Sequence, residues 1–155
     1  MEITVAKEKH LEDLVSLNIE VQNLHVGFEP AIFKEPDREE IKQFFREILD
    51  DKNREIFIIQ DETRSVGYIS LQIGGHEGHA FCYPQKWIYI DQIGVKKEFR
   101  GTGVGKKLIE AAKNYAQKYN ISSIMLDVWT VNKNAKAFFE KQGFATFNER
   151  MRIEL

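Results

Sequence analysis

A chain of 155 residues, 43% hydrophobic and 30% charged, has the length and balance of a single domain spanning 1–155 with one sizeable core. It lacks an apolar run near the roughly 20 residues of a membrane span, and its start, Met1-Glu2-Ile3-Thr4, is no signal peptide. With Cys82 as its lone cysteine there is no internal disulfide, so a cytoplasmic protein without a membrane partner is expected.

The net charge of −2 is unevenly spread. Residues 1–95 hold 10 Lys and Arg against 18 Asp and Glu (−8), and residues 96–155 hold 12 against 6 (+6). A basic half suits a polyanionic ligand and an acidic half a cationic one. The basic half contains no Lys/Arg block of the kind that binds nucleic acid.

In chain order, Ile3–Ala6 reads as a short strand. About His10–Asn23 reads as a helix with Leu11, Leu14, Val15 and Leu17 on or beside one face. Leu24–Pro36, with Gly27, Pro30 and Pro36, reads as an irregular connection. Asp37 followed three residues later by Glu40 resembles a capping box, opening a helix to about Asp50 that packs Ile41, Phe44, Phe45 and Ile48. Glu55–Gln60 and Ser65–Ile73 form an antiparallel pair around the polar turn Asp61–Arg64. Gly74–Lys86 reads as a loop and Trp87–Val95 as a strand. A helix follows from about Gly103 to Tyr119, then a strand Ser123–Trp129 and a short helix Asn132–Gln142 stopped by Gly143. Phe144–Phe147 and Arg150–Leu155 read as a final hairpin around Asn148-Glu149. The order is β-α-α-β-β-β-α-β-α-β-β, a mixed α/β class in which the helix joining Trp87–Val95 to Ser123–Trp129 makes those strands parallel neighbours.

Between strand and helix stands Arg100-Gly101-Thr102-Gly103-Val104-Gly105. Glycine permits positive φ and close approach of a ligand, and the free N–H groups at a helix start attract anions. A phosphate or pyrophosphate is the natural occupant, and Lys96, Lys97, Arg100, Lys106 and Lys107 suit a multiply charged one. The spacing is not that of a P-loop, since Lys106 is followed by Lys107. Nor is it the dinucleotide fingerprint, because G-x-G-x-G stands in place of G-x-G-x-x-G.

The stretch Val95–Leu108 resembles the signature of the GCN5-related N-acetyltransferase (GNAT) family, Arg/Gln-x-x-Gly-x-Gly/Ala after a strand ending in Val. Leu126-Asp127-Val128, then Asn132, Ala135, Phe138, Phe139, Gly143 and Phe144, resembles the family's second block. The resemblance implies a GNAT fold: a central, mixed, mostly antiparallel twisted sheet with splayed parallel strands 4 and 5 and flanking helices. It implies acetyl-CoA as co-substrate. The backbone of Ile93, Gly94 and Val95 would hold the pantetheine arm, and Arg100, Gly101, Thr102, Gly103, Val104, Gly105 and Lys106 the pyrophosphate. Asn132 would touch the pantetheine end. A homodimer is a further expectation of the resemblance.

Transfer to an amine needs a base, because free alkylamines are protonated at neutral pH. Asp91, within Ile90-Asp91-Gln92-Ile93, is the candidate, and a carboxylate in an apolar strand demands an explanation. The alternative is a structural Asp bound to backbone or Lys. Many relatives carry a tyrosine at Phe139 as the acid that protonates the thiolate, and phenylalanine cannot do this. Tyr89, Tyr115, Cys82 or a water remain as donors. Glu29 and His25 are candidates for the acceptor side, which the family borders with Leu24–Lys34 and Phe147–Arg150. His76, His79 and Cys82 have metal-like spacing but no fourth ligand, so no metal is expected. The expected activity is acetyl-CoA-dependent N-acetylation of a small-molecule primary amine. Acetylation of a protein N-terminus or lysine, and a non-catalytic acyl-CoA-binding module, are the alternatives.

Overall fold

The computed structural model describes residues 1–155. Five strands form one sheet in chain order: β1 (Glu2–Val5), β2 (Arg54–Asp61), β3 (Arg64–His76), β4 (Gln85–Val95) and β5 (Ile124–Met125). The first four pair antiparallel, and β4 pairs parallel with β5. The helices are α1 (Leu11–Phe28), α2 (Arg38–Asp50), α3 (Val104–Lys118) and α4 (Lys133–Lys141). No helix is long and apolar enough to cross a membrane.

Alternation along the strands creates two cores. On one face Ile59, Ile69, Leu71, Ile88 and Ile90 meet Leu108, Ile109 and Ala112 of α3 and Phe139 of α4. On the other, Ile56, Ile58 and Tyr68 meet Leu14, Val15 and Leu17 of α1 and Phe45 and Ile48 of α2. The Asp37 cap forms as expected, its Oδ1 accepting the Glu40 N–H at 2.9 Å. Phe44, by contrast, stays outside the core, 40% exposed with its ring edge-on to Phe45.

The boundaries depart from expectation where a tertiary contact outweighs a local signal. Helix α1 continues to Phe28, because Gly27 in the last turn weakens a helix without breaking it, and Pro30 ends it. Strand β3 runs on to His76, since Gly74, Gly75 and His76 find partners in Trp87, Lys86 and Gln85. The strand expected at Ser123–Trp129 is reduced to Ile124–Met125. Trp129 instead packs edge-on against Phe33 of the α1–α2 connection at 5.3 Å, and the chain leaves β4.

The expected C-terminal hairpin does not form. Asn148-Glu149 has no glycine for the positive φ of a two-residue turn, and residues 145–155 carry no strand assignment.

Two histidines make stability depend on pH. His10 Nδ1 accepts the Lys7 N–H at 3.0 Å, and burial, reinforced by Lys9, lowers its proton affinity. Burial also lowers that of His25, which stacks on Phe33 at 4.8 Å. The unfolded chain therefore binds more protons than the folded one below the ordinary value of about 6.5. This stabilisation is complete above that pH and is lost as pH falls toward the depressed folded values. Melting temperature is expected to drop between pH 7.5 and 5.5, and His10→Asn/His25→Phe should flatten the drop. An equal slope in the double variant would refute the assignment.

Candidate active site

Strands β4 and β5 pair only at Ile88↔Ile124 and Tyr89↔Met125, then splay into a fork. A β-bulge sets the opening. Ser70 pairs with Gln92 and Leu71 with Ile90, so Asp91 is the extra residue of β4. The bulge reverses which backbone groups face β5. Before it, the Ile88 N–H donates toward β5, to the Ser123 carbonyl at 2.9 Å; after it, the Lys96 N–H donates toward β3, to the Val66 carbonyl at 2.9 Å. Alternation then turns Ile93 and Val95 toward the fork and Gly94 toward β3. Arg100 Nε already donates to the Val95 carbonyl at 3.2 Å. Gly94 is a packing glycine, because a Cβ there would lie 2.8 Å from both Tyr68 and Val21.

The glycine turn leads from β4 into α3. Gly101 and Gly103 have φ of 76° and 92°, and a Cβ on either would meet nothing within 4 Å. Their glycine identity answers to backbone conformation. Thr102 Oγ1 donates to the Phe99 carbonyl at 2.7 Å, while the N–H groups of Gly101, Gly103, Val104, Gly105 and Lys106 have no protein acceptor. Five such groups at the start of a fifteen-residue helix, beside the exposed Lys106 and Lys107, form a nest of donors of the kind that suits an anion. Gly105 has a different reason to be glycine: a Cβ would stand 2.9 Å from the Phe138 ring, so it sets the α3–α4 contact. Val104 sends its side chain into the core. Asn132 is the N-cap of α4, its Oδ1 accepting the Ala135 N–H at 3.1 Å, which leaves its amide nitrogen available.

Asp91 projects from the bulge with a quarter of its side chain exposed. Its Oδ2 meets Arg54 Nη1 at 3.2 Å, and Arg54 Nη2 donates to Gln72 at 3.0 Å. This guanidinium accounts for a carboxylate in the sheet, so burial alone no longer marks Asp91 as catalytic. Asp91 stands at the fork, and its Oδ1 has no protein partner. Across the ladder from the bulge, the buried Ser70 Oγ also lacks a hydrogen-bond partner. Next along β4, Gln92 Oε1 accepts from Tyr68 and from Asn18 of α1, both at 2.9 Å, tying strand to helix.

Sequence reasoning missed the pair Tyr89–Asp127. The Tyr89 hydroxyl donates to Asp127 Oδ2 at 2.8 Å across the fork. Its pKa is pushed up to about 12, first by burial, then by Asp127 and Asp91, with Arg150 opposing. The sequence signal was there: an acidic residue in an apolar strand, parallel to Asp91. Phe139 is only 8% exposed and packs on Phe138 and Phe144 in the α3 core. Tyr115 lies in that same core against Phe57, and Cys82 sits on an exposed loop. Glu29 caps the end of α1. His76 and His79 have ring centroids 6.0 Å apart, and no three His, Cys, Asp or Glu converge on a metal-sized site.

A groove of about 900 Å³ lies away from the fork, between β1 and α3, with Ile3, Phe57 and Tyr115 among its walls. It reaches the nest at Gly103, Lys106 and Lys107 but contains neither Asp91 nor Asp127.

A family profile described as "Acetyltransferase (GNAT) family" matches residues 18–144. The chain belongs to the GNAT acetyltransferases. An uncharacterized N-acetyltransferase of Lactobacillus delbrueckii subsp. lactis is 23% identical over 160 residues, covering 97% of this chain and 88% of its own. Among solved structures, a point mutant of the BH1408 protein of Bacillus halodurans superposes with a TM-score of 0.91 at 24% identity, over 100% of this chain and 99% of its own. The aminoglycoside N-acetyltransferase AAC(6')-Iy in complex with CoA superposes with a TM-score of 0.81 at 19% identity, over 99% and 93%. Membership makes this GNAT chain an acyltransferase of the acetyl-CoA-using kind, with the mixed sheet and parallel β4–β5 pair of the fold.

Proposed function

We propose that this GNAT enzyme acetylates the primary amine of a small cationic molecule. The observation that carries the reading is the pair of carboxylates at the mouth of the fork: Asp91, whose Oδ1 has no protein partner, and Asp127, which accepts the Tyr89 hydroxyl at 2.8 Å. Such a field favours a cationic acceptor. The fold shared with an aminoglycoside N-acetyltransferase is compatible with an amino-sugar acceptor.

Acetyl-CoA supplies the acetyl group as a thioester. The unpaired N–H groups from Gly101 to Lys106, with the Lys106 ammonium, suit its pyrophosphate. The fork-facing backbone of Ile93 and the Val95 N–H suit its pantetheine amides, which would lie against β4 as an added strand. An N–H there also polarises the carbonyl under attack. Asn132 offers its amide nitrogen near the same end. Asp91 Oδ1 takes the proton that the ammonium must lose before it attacks, directly or through water, while Arg54 fixes the carboxylate's orientation.

No side chain at the fork is a ready acid for the leaving thiolate, since Tyr89 holds its proton tightly and Phe139 has none to give. A thiol with an ordinary pKa of about 8.5 leaves adequately without one.

Calorimetry with acetyl-CoA, paired with a thiol-release assay over polyamines, amino sugars, lysine peptides and free peptide N-termini, tests the reading. Binding with release on small cationic amines is expected. Release only with peptides would transfer the assignment to protein acetylation, and binding without any release would make the chain an acyl-CoA-binding module.

A further inference from the structure

In the middle of the sheet, on the face that packs under α1 and α2, lies a hydroxyl left without a bond. Residues paired across a ladder share a face, as do residues two apart on one strand. Ser70 pairs with Ile56 on one side and Gln92 on the other, and stands between Tyr68 and Gln72 on β3. Ile56 and Tyr68 belong to the core under α1 and α2, so Ser70 faces the same helices. It is 0% exposed, and its Oγ has no hydrogen-bond partner. A buried hydroxyl without a partner destabilises a fold, and its retention calls for a reason.

The amide oxygens around it are engaged elsewhere. Gln92 Oε1 accepts from Tyr68 and Asn18, and Gln72 Oε1 accepts from Arg54. Asp91 Oδ1 is not engaged. Asp91 is the extra residue opposite the Ser70–Leu71 step, and its bond to Arg54 puts it on the same face, since Arg54 pairs across from Gln72. That bond is an ion pair and holds only while the carboxylate is charged. A proton on Asp91 cancels the attraction, and a neutral carboxyl, unlike a charged one, is at home in a buried setting.

The groups facing Asp91 leave this switch to Arg54. The guanidinium is shared with Asp51 at 3.7 Å. Tyr68 and Tyr89 stay neutral because burial raises their proton affinity, and Asp127 lies beyond Tyr89. Helix α1 brings the neutral Asn18, and α2 the apolar Phe45 and Ile48.

We propose that Ser70 is a positioning residue for the protonated base, its Oγ accepting a hydrogen bond from the Asp91 carboxyl once that group has taken the acceptor's proton and let go of Arg54. In the step, an N–H bond of the ammonium breaks, its electron pair stays on nitrogen for the attack, and an O–H bond forms on Asp91. The carboxyl turns inward to Ser70, then gives the proton to solvent through its exposed quarter and returns to Arg54. An interaction made only after proton transfer favours that transfer, and the unpaired hydroxyl is in place beforehand.

The inference rests on Asp91 as the base, and Ser70→Ala tests it. At pH 7.5 the melting temperature should rise by about 2–6 °C, because an unpaired buried hydroxyl is gone. A fall would show the hydroxyl bonded at rest and overturn the inference. Turnover should drop by about three- to tenfold, the worth of one neutral hydrogen bond, with KM for acetyl-CoA unchanged within about twofold. Followed by carbon NMR, the Asp91 carboxyl should titrate about 0.5–1 pH unit lower than in the parent, and the acid limb of kcat/KM should move with it. The sign follows from a bond made to the neutral form alone, whose loss lowers proton affinity. A titration midpoint that stays or moves up overturns the inference, as does undiminished turnover. If Asp91→Asn keeps full turnover, the base assignment fails by itself. The NMR titration and the melting temperature then still decide whether Ser70 receives the protonated side chain.

Discussion

Replacing Asp91 by asparagine is expected to lower kcat by about 10²–10⁴-fold, the range that general-base removal costs, with KM for acetyl-CoA unchanged within about threefold. Asparagine keeps the size of the side chain and can still accept from Arg54 through its carbonyl oxygen, so the bulge and its ion-pair geometry survive. What it loses is the capacity to take a proton. The donor site is unaffected, because the nest N–H groups lie beyond Val95 on the far side of β4's end. The residual activity should then climb with pH, about tenfold per unit up to the acceptor's own pKa near 10, as the free amine replaces the missing base. Arg54→Gln tests the positioning arm: kcat falls, by about tenfold, without the steep pH dependence of Asp91→Asn. Turnover of Asp91→Asn within about threefold of the parent would return Asp91 to a purely structural ion pair with Arg54.

The sequence admits a structural Asp91 bound to backbone or Lys but does not point to Arg54, because Arg54 and Asp91 are 37 residues apart and meet only through sheet register. The same limit explains most of what was legible and what was not. Local signals with a backbone cause survived folding: the Asp37 cap, the Gly143 stop and the positive φ of Gly101 and Gly103. So did the β4–α3–β5 crossover, because it follows from chain order and handedness. Features that depend on a neighbour far along the chain did not. Trp129 reads as a strand residue until Phe33 draws it off β4, and Gly105 reads as a phosphate residue until the Phe138 ring occupies the space of its missing side chain. The bulge at Asp91 was invisible for the same reason, since it exists only in the pairing of Ser70 and Leu71 with Gln92 and Ile90. The tail departs for a different reason: its alternation reads as strand, but alternation alone supplies neither a turn nor an edge to pair with, and residues 145–155 carry no strand assignment.

The three glycines of the turn, alike in sequence, should separate cleanly under substitution. Gly103→Val places a β-branched residue at φ 92°, where the left-handed backbone costs about 1–2 kcal/mol for any side chain and more for a branched one. Nothing surrounds the new side chain, so the chain relieves the strain by turning the local backbone, and the N–H groups of Gly103 and Val104 lose their common direction. CoA affinity is expected to fall by about 30- to 100-fold, the worth of about one charge-assisted hydrogen bond, with a small loss of melting temperature. Gly105→Val should behave in the opposite way. Its φ is unstrained, but a Cβ 2.9 Å from the Phe138 ring forces α4 away from α3, overpacking that costs about 1–3 kcal/mol. For a chain of this size that lowers the melting temperature by about 2–12 °C, while the Gly105 N–H still points into the nest. Calorimetry and thermal melts on the two variants decide it. If Gly105→Val abolishes CoA binding at full stability, or Gly103→Val leaves CoA affinity intact, then the backbone nest does not hold the donor as described.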